Sequence, residues 1–283
     1  MTNQWKIFGE PSNQEQPEEP ESGLEEVIFD TEPSDKKPQS FPETIAILPL
    51  RGLVVYPQTA VPLTIGQPRS IRLIDDTIGG AGNRLIGLVA SKDINIENPG
   101  PDDLYKTGTI AQVHRLFRAP DDTIRLLVQG VMRFNILEIT QTEPYLMARI
   151  ETDPETVETG IEIEALTRNV RDQFTHIAQM LPSMPQELII SVSALEDPLQ
   201  TAYTIANFQR MDLGEAQEIL ELESTRDKLT RLVGILTRES EVLELGQKIQ
   251  KEAKSEIDKV QREYFLREQL KAIQKELGEA DEQ

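Results

Sequence analysis

The residues of this chain that could carry out chemistry are few and scattered. The sequence contains two histidines, His114 and His176, and no cysteine. A zinc site needs several His, Cys or carboxylate ligands at set spacings, and neither an HExxH pattern nor a Cys/His cluster occurs. The lack of cysteine also excludes disulfides and fits a reducing compartment. We therefore interpret both histidines as surface or half-buried structural residues.

Two further patterns resemble catalytic or phosphate-binding motifs only in part. Neighbouring carboxylates in loops usually serve turns and caps, whereas acid–base catalysis needs two carboxylates in different environments. Such pairs occur at Asp75-Asp76, Asp102-Asp103 and Asp121-Asp122. Gly79-Gly80-Ala81-Gly82 links a predicted helix to a strand, the reverse of the order in a phosphate-binding loop, and no GxxxxGK[ST] motif occurs. We predict no catalytic, cofactor or metal site in these residues.

Charge and hydropathy argue against a nucleic-acid-binding protein and against a membrane protein. The chain carries 29 basic and 49 acidic residues, a net charge of −20. Residues 1–40 sum to −7, residues 41–154 to −2 and residues 155–283 to −11. Nucleic-acid affinity rests largely on Lys and Arg neutralising phosphates, so this balance disfavours a nucleic-acid partner. Neither a run of about 18 apolar residues nor a basic-then-apolar leader occurs, and we expect a cytoplasmic protein without a membrane partner.

The first part of the chain, residues 1–40, is predicted to be a disordered acidic tail. It contains five prolines and ten acidic residues, which leave too little apolar area to offset the entropy of ordering. Two apolar islands, Trp5–Phe8 and Leu24–Phe29, interrupt it. They reflect either local composition or a peptide that docks on a partner, and the sequence does not decide between the two.

The next part, residues 41–154, is predicted to be a β-rich subdomain. Apolar and polar positions alternate with a period of two, as expected of strands with one face on a core. Ala60–Ile65 contains a proline and is predicted to be an edge strand. Residues 109–117 and 123–129 flank a turn and predict a hairpin, with a separate strand around residues 132–136.

After residue 154 the hydrophobic period becomes helical. Residues 155–223 predict a helical bundle, in which Asp197 and Asp212 cap the third and fourth helices. The first helix carries an apolar stripe of Ile163, Leu166, Val170, Phe174 and Ile177. Residues 224–283 contain no proline and predict a long helix of about 80 Å, either projecting or in a coiled coil, with Gly234 and Gly246 as weak points. The predicted fold class is α+β.

A series of short motifs forms a joint pattern through its order and spacing. The motifs are Leu48–Arg51, Val54–Pro57, Pro62–Gly66, Lys106–Ala111, Leu127–Phe134, Glu143–Tyr145 and Arg262–Gly278. The last is the most specific. With these motifs the chain resembles the N-terminal region of the Lon family of ATP-dependent serine proteases, over about residues 41–278. One departure is Gly52-Leu53, where the family suggests a polar residue and a valine.

The resemblance implies both a fold and a function. It implies a PUA-like β subdomain, a helical bundle and a long helix leading towards an ATPase module. In the family this region engages unfolded or damaged protein substrates and helps to order a homohexamer. The ATPase and Ser–Lys peptidase domains, with ATP and Mg²⁺, are expected beyond residue 283. We therefore expect a fragment without enzymatic activity of its own.

Two sets of residues are candidates for this role. Capture of unfolded chains needs exposed, adaptable apolar surface. The first set, in a proline-punctuated loop between helices, comprises Met180, Leu181 and Met184. These residues either contact substrate or cap the core of the bundle. The second set, spaced by four, three and four on the long helix, comprises Leu266, Leu270, Ile273 and Leu277. This stripe is predicted to pack against another subunit or the ATPase.

Two other functions remain open from the sequence. PUA-like folds often bind RNA, and the β-rich part carries dispersed arginines such as Arg118, Arg133 and Arg149, so a nucleic-acid-binding module is one alternative. Salt-dependent binding to DNA or RNA would favour it. A stand-alone adaptor is the other alternative. The long helix argues against an adaptor, because its end would have no domain to enter.

Overall fold

The computed structural model of the chain describes residues 25–28, 41–79, 84–181 and 184–276. The β-rich part comprises β1 Glu25–Ile28, β2 Thr44–Leu50, β3 Ala60–Ile65, α1 Pro68–Gly79, β4 Leu85–Ala90, β5 Thr107–Arg118, β6 Ile124–Gln141 and β7 Leu146–Thr152. The helical part comprises α2 Ile161–Met180, α3 Gln186–Ser193, α4 Pro198–Phe208, α5 Leu213–Glu221 and α6 Thr225–Glu276. The change from strands to helices therefore lies between residues 152 and 161.

One strand comes from the tail that composition predicts to be disordered. Residues 25–28 form β1, which pairs antiparallel with β5, with Glu25 opposite Arg118 and Ile28 opposite Arg115. The edge of β5 is available there because β4 pairs with residues 109–112 of β5. An edge with unpaired backbone groups accepts an added strand, so the prediction of disorder does not hold for these four residues. Residues 1–24 and 29–40 lie outside the described residues.

The strands of the β-rich part close into a ring. The pairings β5–β4, β4–β2, β2–β7, β7–β6 and β6–β5 form a closed circuit, with β1 and β3 added outside it. The β2–β4 pair is parallel and the other pairs are antiparallel. The predicted hairpin is confirmed as the β5–β6 pair, and β3 lies at the end of the strand order, as its proline predicts.

The prediction of a separate strand around residues 132–136 is wrong, because β6 continues from Ile124 to Gln141. This strand changes partner along its length. Its first part lies between β5 and β3, and its last part pairs with β7. The long β6 therefore joins the two halves of the barrel, and Gly130, in its middle, lies against the backbone of residue 56. A Cβ at Gly130 would be 2.1 Å from the carbonyl oxygen of Tyr56.

Strand β2 sends alternate side chains into two cores. Leu48 packs in the core that α1 covers, together with Leu73 and Ile74. Ile47 points to the opposite face and packs with Phe134. Burial on both faces explains the near-continuous apolar sequence of β2, which is typical of the central strands of a covered sheet.

The helical part has its own core. On α2, the predicted stripe is buried at Ile163, Val170, Phe174 and Ile177, where it packs against residues of α4 and α6. Asp197 caps α4, because its carboxylate accepts hydrogen bonds from the backbone of residues 199 and 200 at 2.7 and 3.2 Å. Asp212 occupies the N-cap position of α5, as predicted, and its backbone carbonyl accepts a hydrogen bond from the N–H of Ala216 at 2.9 Å, but its side chain makes no capping hydrogen bond.

The last helix, α6, combines a packed base with an exposed shaft. It runs without a break through Gly234 and Gly246 for 52 residues, about 78 Å. Leu229, Leu232 and Leu236 in its base are buried in the helical core. Residues 244–275 are all exposed. The helix therefore projects from the bundle, as its thin apolar stripe predicts.

Candidate functional site

The residues that the sequence singled out for chemistry serve local structure. Asp121 accepts hydrogen bonds from the Thr123 hydroxyl at 2.6 Å and backbone N–H at 3.2 Å, which lower the pKa of its carboxyl. His176 lies 3.2 Å from Glu244 and is mostly exposed. The Nε2 of His114 is 2.8 Å from the side-chain oxygen of Gln129. No group of three or more metal-ligating side chains comes together within the described part of the chain.

A buried polar cluster, centred on Glu155, joins the barrel to the helices. Glu155 lies in the connection between β7 and α2, and its carboxylate is 3.0 Å from Lys228 Nζ and 3.5 Å from Arg133 Nη1. The Tyr203 hydroxyl donates to the same carboxylate at 2.5 and 2.6 Å. Arg133 also pairs with Asp153 at 2.7 Å. We call Arg133, Asp153, Glu155, Tyr203 and Lys228 the joint cluster.

The two cations of the joint cluster also bind the end of α5. Arg133 Nη1 donates to the carbonyls of Leu220 and Leu222 at 2.9 and 2.8 Å. Lys228 Nζ donates to the carbonyl of Ile219 at 2.9 Å and to that of Leu222. The last carbonyls of a helix have no partner within the helix and carry partial negative charge, so cations stabilise them. A barrel arginine and the base of α6 thus fix the same helix end.

Aromatic contacts complete this joint. Tyr56 stacks on Tyr203 with ring centroids 5.3 Å apart, and its hydroxyl donates to the carbonyl of Ala216 at 2.9 Å. Lys228 Nζ lies 5.1 Å from the Tyr203 ring centroid. Burial raises the pKa of both tyrosines, with Glu155 adding to the effect at Tyr203. Burial also lowers the pKa of Lys228 to about 8, against the opposing effect of Glu155.

The sequence patterns do not predict the joint cluster. They place Arg133 among the dispersed arginines on the polar side of a strand, whereas it is 4% exposed. Lys228 is fully buried in a helix whose composition is polar. The available signal is a single charged residue between the apolar Met132 and Phe134. That signal shows neither burial nor which distant partners neutralise the charge.

An open cleft lies on the barrel beside β3. It has a volume of about 480 Å³ and is bordered by the end of β2, β3, the first turn of α1 and residues 94–99. Its apolar lining includes Leu53, Pro62 and Ile65, and Arg51 and Glu97 supply charge at its sides. Ile94 is 58% exposed at the cleft. This combination presents apolar surface to solvent next to both signs of charge.

Gly52 shapes one side of the cleft. Its φ of +70° lies in the left-handed region, which glycine adopts without steric cost. A Cβ there would lie 2.9 Å from the Ile94 side chain. Gly52 therefore lets the loop after β2 turn beneath Ile94.

The loop predicted to contact substrate lies on the helical part. Met180 and Leu181 are half-buried and pack against the core of the bundle. Met184 is also half-buried, and its backbone N–H donates to the carbonyl of Leu181 at 3.1 Å. Residues 182 and 183 lie outside the described residues. These residues thus contribute to the core and are also partly open to solvent, so substrate contact by them stays a prediction.

The predicted packing stripe of α6 is exposed. Leu266, Leu270 and Ile273 are 53–56% exposed, and Leu277 lies outside the described residues. Within the described part of the chain, nothing covers them. No described helix is both long and apolar enough to cross a membrane.

The family model and the relatives that match this chain all belong to one protein family. A family model described as the ATP-dependent protease La (LON) substrate-binding domain matches residues 44–238. The Lon protease of Dictyoglomus thermophilum is 46% identical over 243 residues, 86% of this chain. Lon protease 1 of Herpetosiphon aurantiacus is 47% identical over 249 residues, also 86% of this chain. The chain spans only 30% of the length of each of these relatives.

Solved structures with the same fold are similar in shape but distant in sequence. The N-terminal domain of a Mycobacterium avium complex Lon protease has a TM-score of 0.56 at 20% identity, covering 69% of this chain and 98% of that one. A Lon N-terminal domain protein from Xanthomonas campestris has a TM-score of 0.50 at 13% identity, covering 68% and 97%. These likenesses confirm the predicted α+β fold class.

Proposed function

The chain belongs to the Lon substrate-binding domain family, and from this premise we propose that it captures protein substrates for an ATP-dependent serine protease. The family match over residues 44–238, which spans the barrel and the bundle, carries the proposal. Unfolded, damaged and regulatory proteins are the proposed substrates. In this proposal ATP, Mg²⁺ and the peptidase residues belong to other parts of the protease, which works as a homohexamer in the cytoplasm.

We place capture at the cleft beside β3. Unfolded proteins present apolar side chains in extended backbone, which suits an open apolar cleft flanked by charge. Ile94, Leu53 and Pro62 supply the apolar contacts, and Arg51 and Glu97 lie at the sides. The loop of Met180, Leu181 and Met184 is a second candidate surface on the helical part.

The remaining parts of the proposal concern the barrel, the joint cluster and the long helix that hold the capture surface in position. The closed circuit of strands is consistent with a PUA-like barrel, which we propose as the fold of residues 41–154. The joint cluster holds the barrel and the base of α6 in one arrangement. The shaft of α6 would then act as a spacer between the captured substrate and the motor, with Leu266, Leu270 and Ile273 packing on another subunit or on the ATPase.

The three arginines named above for a nucleic-acid-binding function are engaged within the structure. Arg133 is buried, and Arg118 and Arg149 pair with Asp75 and Glu138 at 2.5 and 3.1 Å. The stand-alone adaptor is weakened by the identity of about 46% to proteases that are more than three times as long.

The test measures binding of a fluorescently labelled, permanently unfolded protein to the 283-residue chain. Ile94→Asp places a carboxylate on the apolar lining and is expected to weaken binding at least about tenfold, equivalent to ~1.4 kcal/mol. Leu137→Asp is the matched control, because Leu137 is similarly exposed, at 54%, on β6 outside the residues that line the cleft. It should leave binding unchanged.

A second variant, Met180→Ser with Leu181→Ser and Met184→Ser, tests the loop separately. Loss of binding in this variant alone would move the capture site from the cleft to the loop. Unchanged binding in both variants, with circular dichroism matching the parent chain, would contradict both sites.

A further inference from the structure

A second hollow lies on the outer face of the barrel, beside β1. It has a volume of about 410 Å³ and is lined by Pro62 of β3, Arg115 and Phe117 of β5, and Arg125 and Leu127 of β6. The strand registers place Arg115 opposite Leu127 and Phe117 opposite Arg125, so these four residues share one face of the sheet. We call them the arginine–phenylalanine face.

This face is positively charged and partly apolar. Arg115 and Arg125 are exposed, and neither forms an ion pair with a described residue. Phe117 and Leu127 are half-buried beside them. Two arginines that form no ion pair with the described residues thus flank an aromatic ring in a chain with a net charge of −20. This arrangement suits a ligand with both carboxylates and apolar side chains.

Strand β1 brings such a segment to the edge of this face. Its backbone register sets residue 26 opposite Phe117 and residue 28 opposite Arg115, two of the residues that line the hollow. The surrounding sequence, Pro20-Glu21-Ser22-Gly23-Leu24-Glu25-Glu26-Val27-Ile28-Phe29-Asp30-Thr31-Glu32, holds five acidic and no basic residues. The charges of the segment and of the face are therefore complementary.

The ladder that holds this segment is short. It spans four residues, whereas the β5–β6 ladder runs from Thr107 to Arg118 of β5. A strand of four residues at the outer edge of a sheet makes few backbone hydrogen bonds and is among the first elements to open. Its position lies before the family match, which begins at residue 44.

We propose that the edge of β5 over residues 115–118, together with the arginine–phenylalanine face, is a docking site for the acidic–apolar segment of residues 20–32 of this same chain. The segment adds as a detachable strand, with backbone pairing giving affinity and the arginines selecting carboxylates. Because the occupant is in the same chain, a free peptide of the same sequence reaches the site only when the strand opens. The inference does not depend on the proposed capture function.

The test opens the strand in the full chain and supplies the segment as a peptide. Val27→Pro with Ile28→Pro removes two successive backbone N–H groups and prevents β1 from pairing, whichever of them faces β5. A labelled peptide of residues 20–32 should then bind this variant at least tenfold more tightly than the parent chain. Hydrogen exchange of the amides of residues 115–118 should quicken. Gln14→Pro with Gln16→Pro, in the same tail, should change neither measurement.

A charge reversal tests the face itself. In the opened variant, Arg115→Glu with Arg125→Glu should abolish peptide binding. Arg168→Glu with Arg210→Glu makes an equal charge change at two exposed positions, one on α2 and one between α4 and α5, and should reduce binding less than threefold. Three outcomes overturn the proposal: no peptide binding to the opened variant, equal binding to the parent chain, or equal loss in the two charge-reversed variants. Unchanged circular dichroism of the barrel controls for misfolding.

Discussion

Replacement of Glu155 by glutamine removes the negative charge at the centre of the joint cluster while keeping its shape. Glutamine can still accept the hydrogen bond that Tyr203 donates. Asp153 remains 2.7 Å from Arg133 and continues to neutralise that side chain. For Lys228, whose side chain is completely buried, Glu155 is the carboxylate within 4 Å among the described residues. The substitution therefore leaves a buried ammonium without its counter-ion.

The expected loss of stability follows from that buried charge. Removing one partner of a buried ion pair usually costs about 3–5 kcal/mol. The destabilisation has an upper limit, because the variant can avoid the buried charge by releasing the proton of Lys228. Releasing a proton at pH 7 from a group of ordinary pKa 10.5 costs about 5 kcal/mol, at ~1.4 kcal/mol per pKa unit. We expect Glu155→Gln to lower the free energy of unfolding by about 3–5 kcal/mol at pH 7.

The assay is urea unfolding, monitored by far-ultraviolet circular dichroism. The parent chain, Glu155→Gln, Lys228→Met and the double variant form a double-mutant cycle. Adding Lys228→Met to Glu155→Gln removes the unpaired ammonium and should restore at least about 2 kcal/mol. Glu138→Gln is the control, because its ion pair with Arg149 is exposed and should be worth less than about 1 kcal/mol. A cost below about 1 kcal/mol for Glu155→Gln, or no recovery in the double variant, would refute the role assigned to the joint cluster.

Three further predictions concern stability. The pKa of Lys228 is about 8 in the folded chain and 10.5 in the unfolded chain, so the unfolded state binds more protons between these pH values. The free energy of unfolding of the parent chain, relative to that of Lys228→Met, should therefore rise by up to ~3 kcal/mol from pH 8 to pH 10.5. A difference between the two chains that does not change with pH in urea titrations would contradict this. Gly130→Ala should destabilise the barrel by about 3 kcal/mol, since its Cβ would meet the Tyr56 carbonyl at 2.1 Å; a cost under about 1 kcal/mol would show that the contact relaxes. Gly234→Ala should raise the stability by about 1 kcal/mol, because a Cβ added to this helical glycine would meet no atom within 4 Å, and a loss measured by thermal unfolding would count against a continuous α6.

Local patterns predicted the elements whose partners are close in sequence. Alternation and turn residues predicted the β5–β6 hairpin, and the proline in Ala60–Ile65 predicted its place at the edge of the sheet. Helical spacing predicted the buried stripe of α2. In each case the pattern reports which side chains face a core, which is the information that periodicity carries.

Contacts between distant segments could not be predicted in this way. Arg133 and Lys228 meet on one carboxylate although they lie in a strand and a helix far apart in the chain. The continuous β6 depends on a change of partner from β3 to β7, which no local pattern encodes. The cleft similarly combines residues after β2 with β3 and with Ile94. Its apolar lining is visible only once the barrel has closed.

The most direct test of substrate capture compares two states of one polypeptide. A small disulfide-bonded protein is labelled and titrated with the 283-residue chain, once in its folded form and once after reduction and carboxymethylation have kept it unfolded. The chain should bind the unfolded form at least about tenfold more tightly than the folded form, because only unfolding exposes apolar segments to the cleft. Equal affinity for the two forms, or no binding to the unfolded one, would contradict the proposed function.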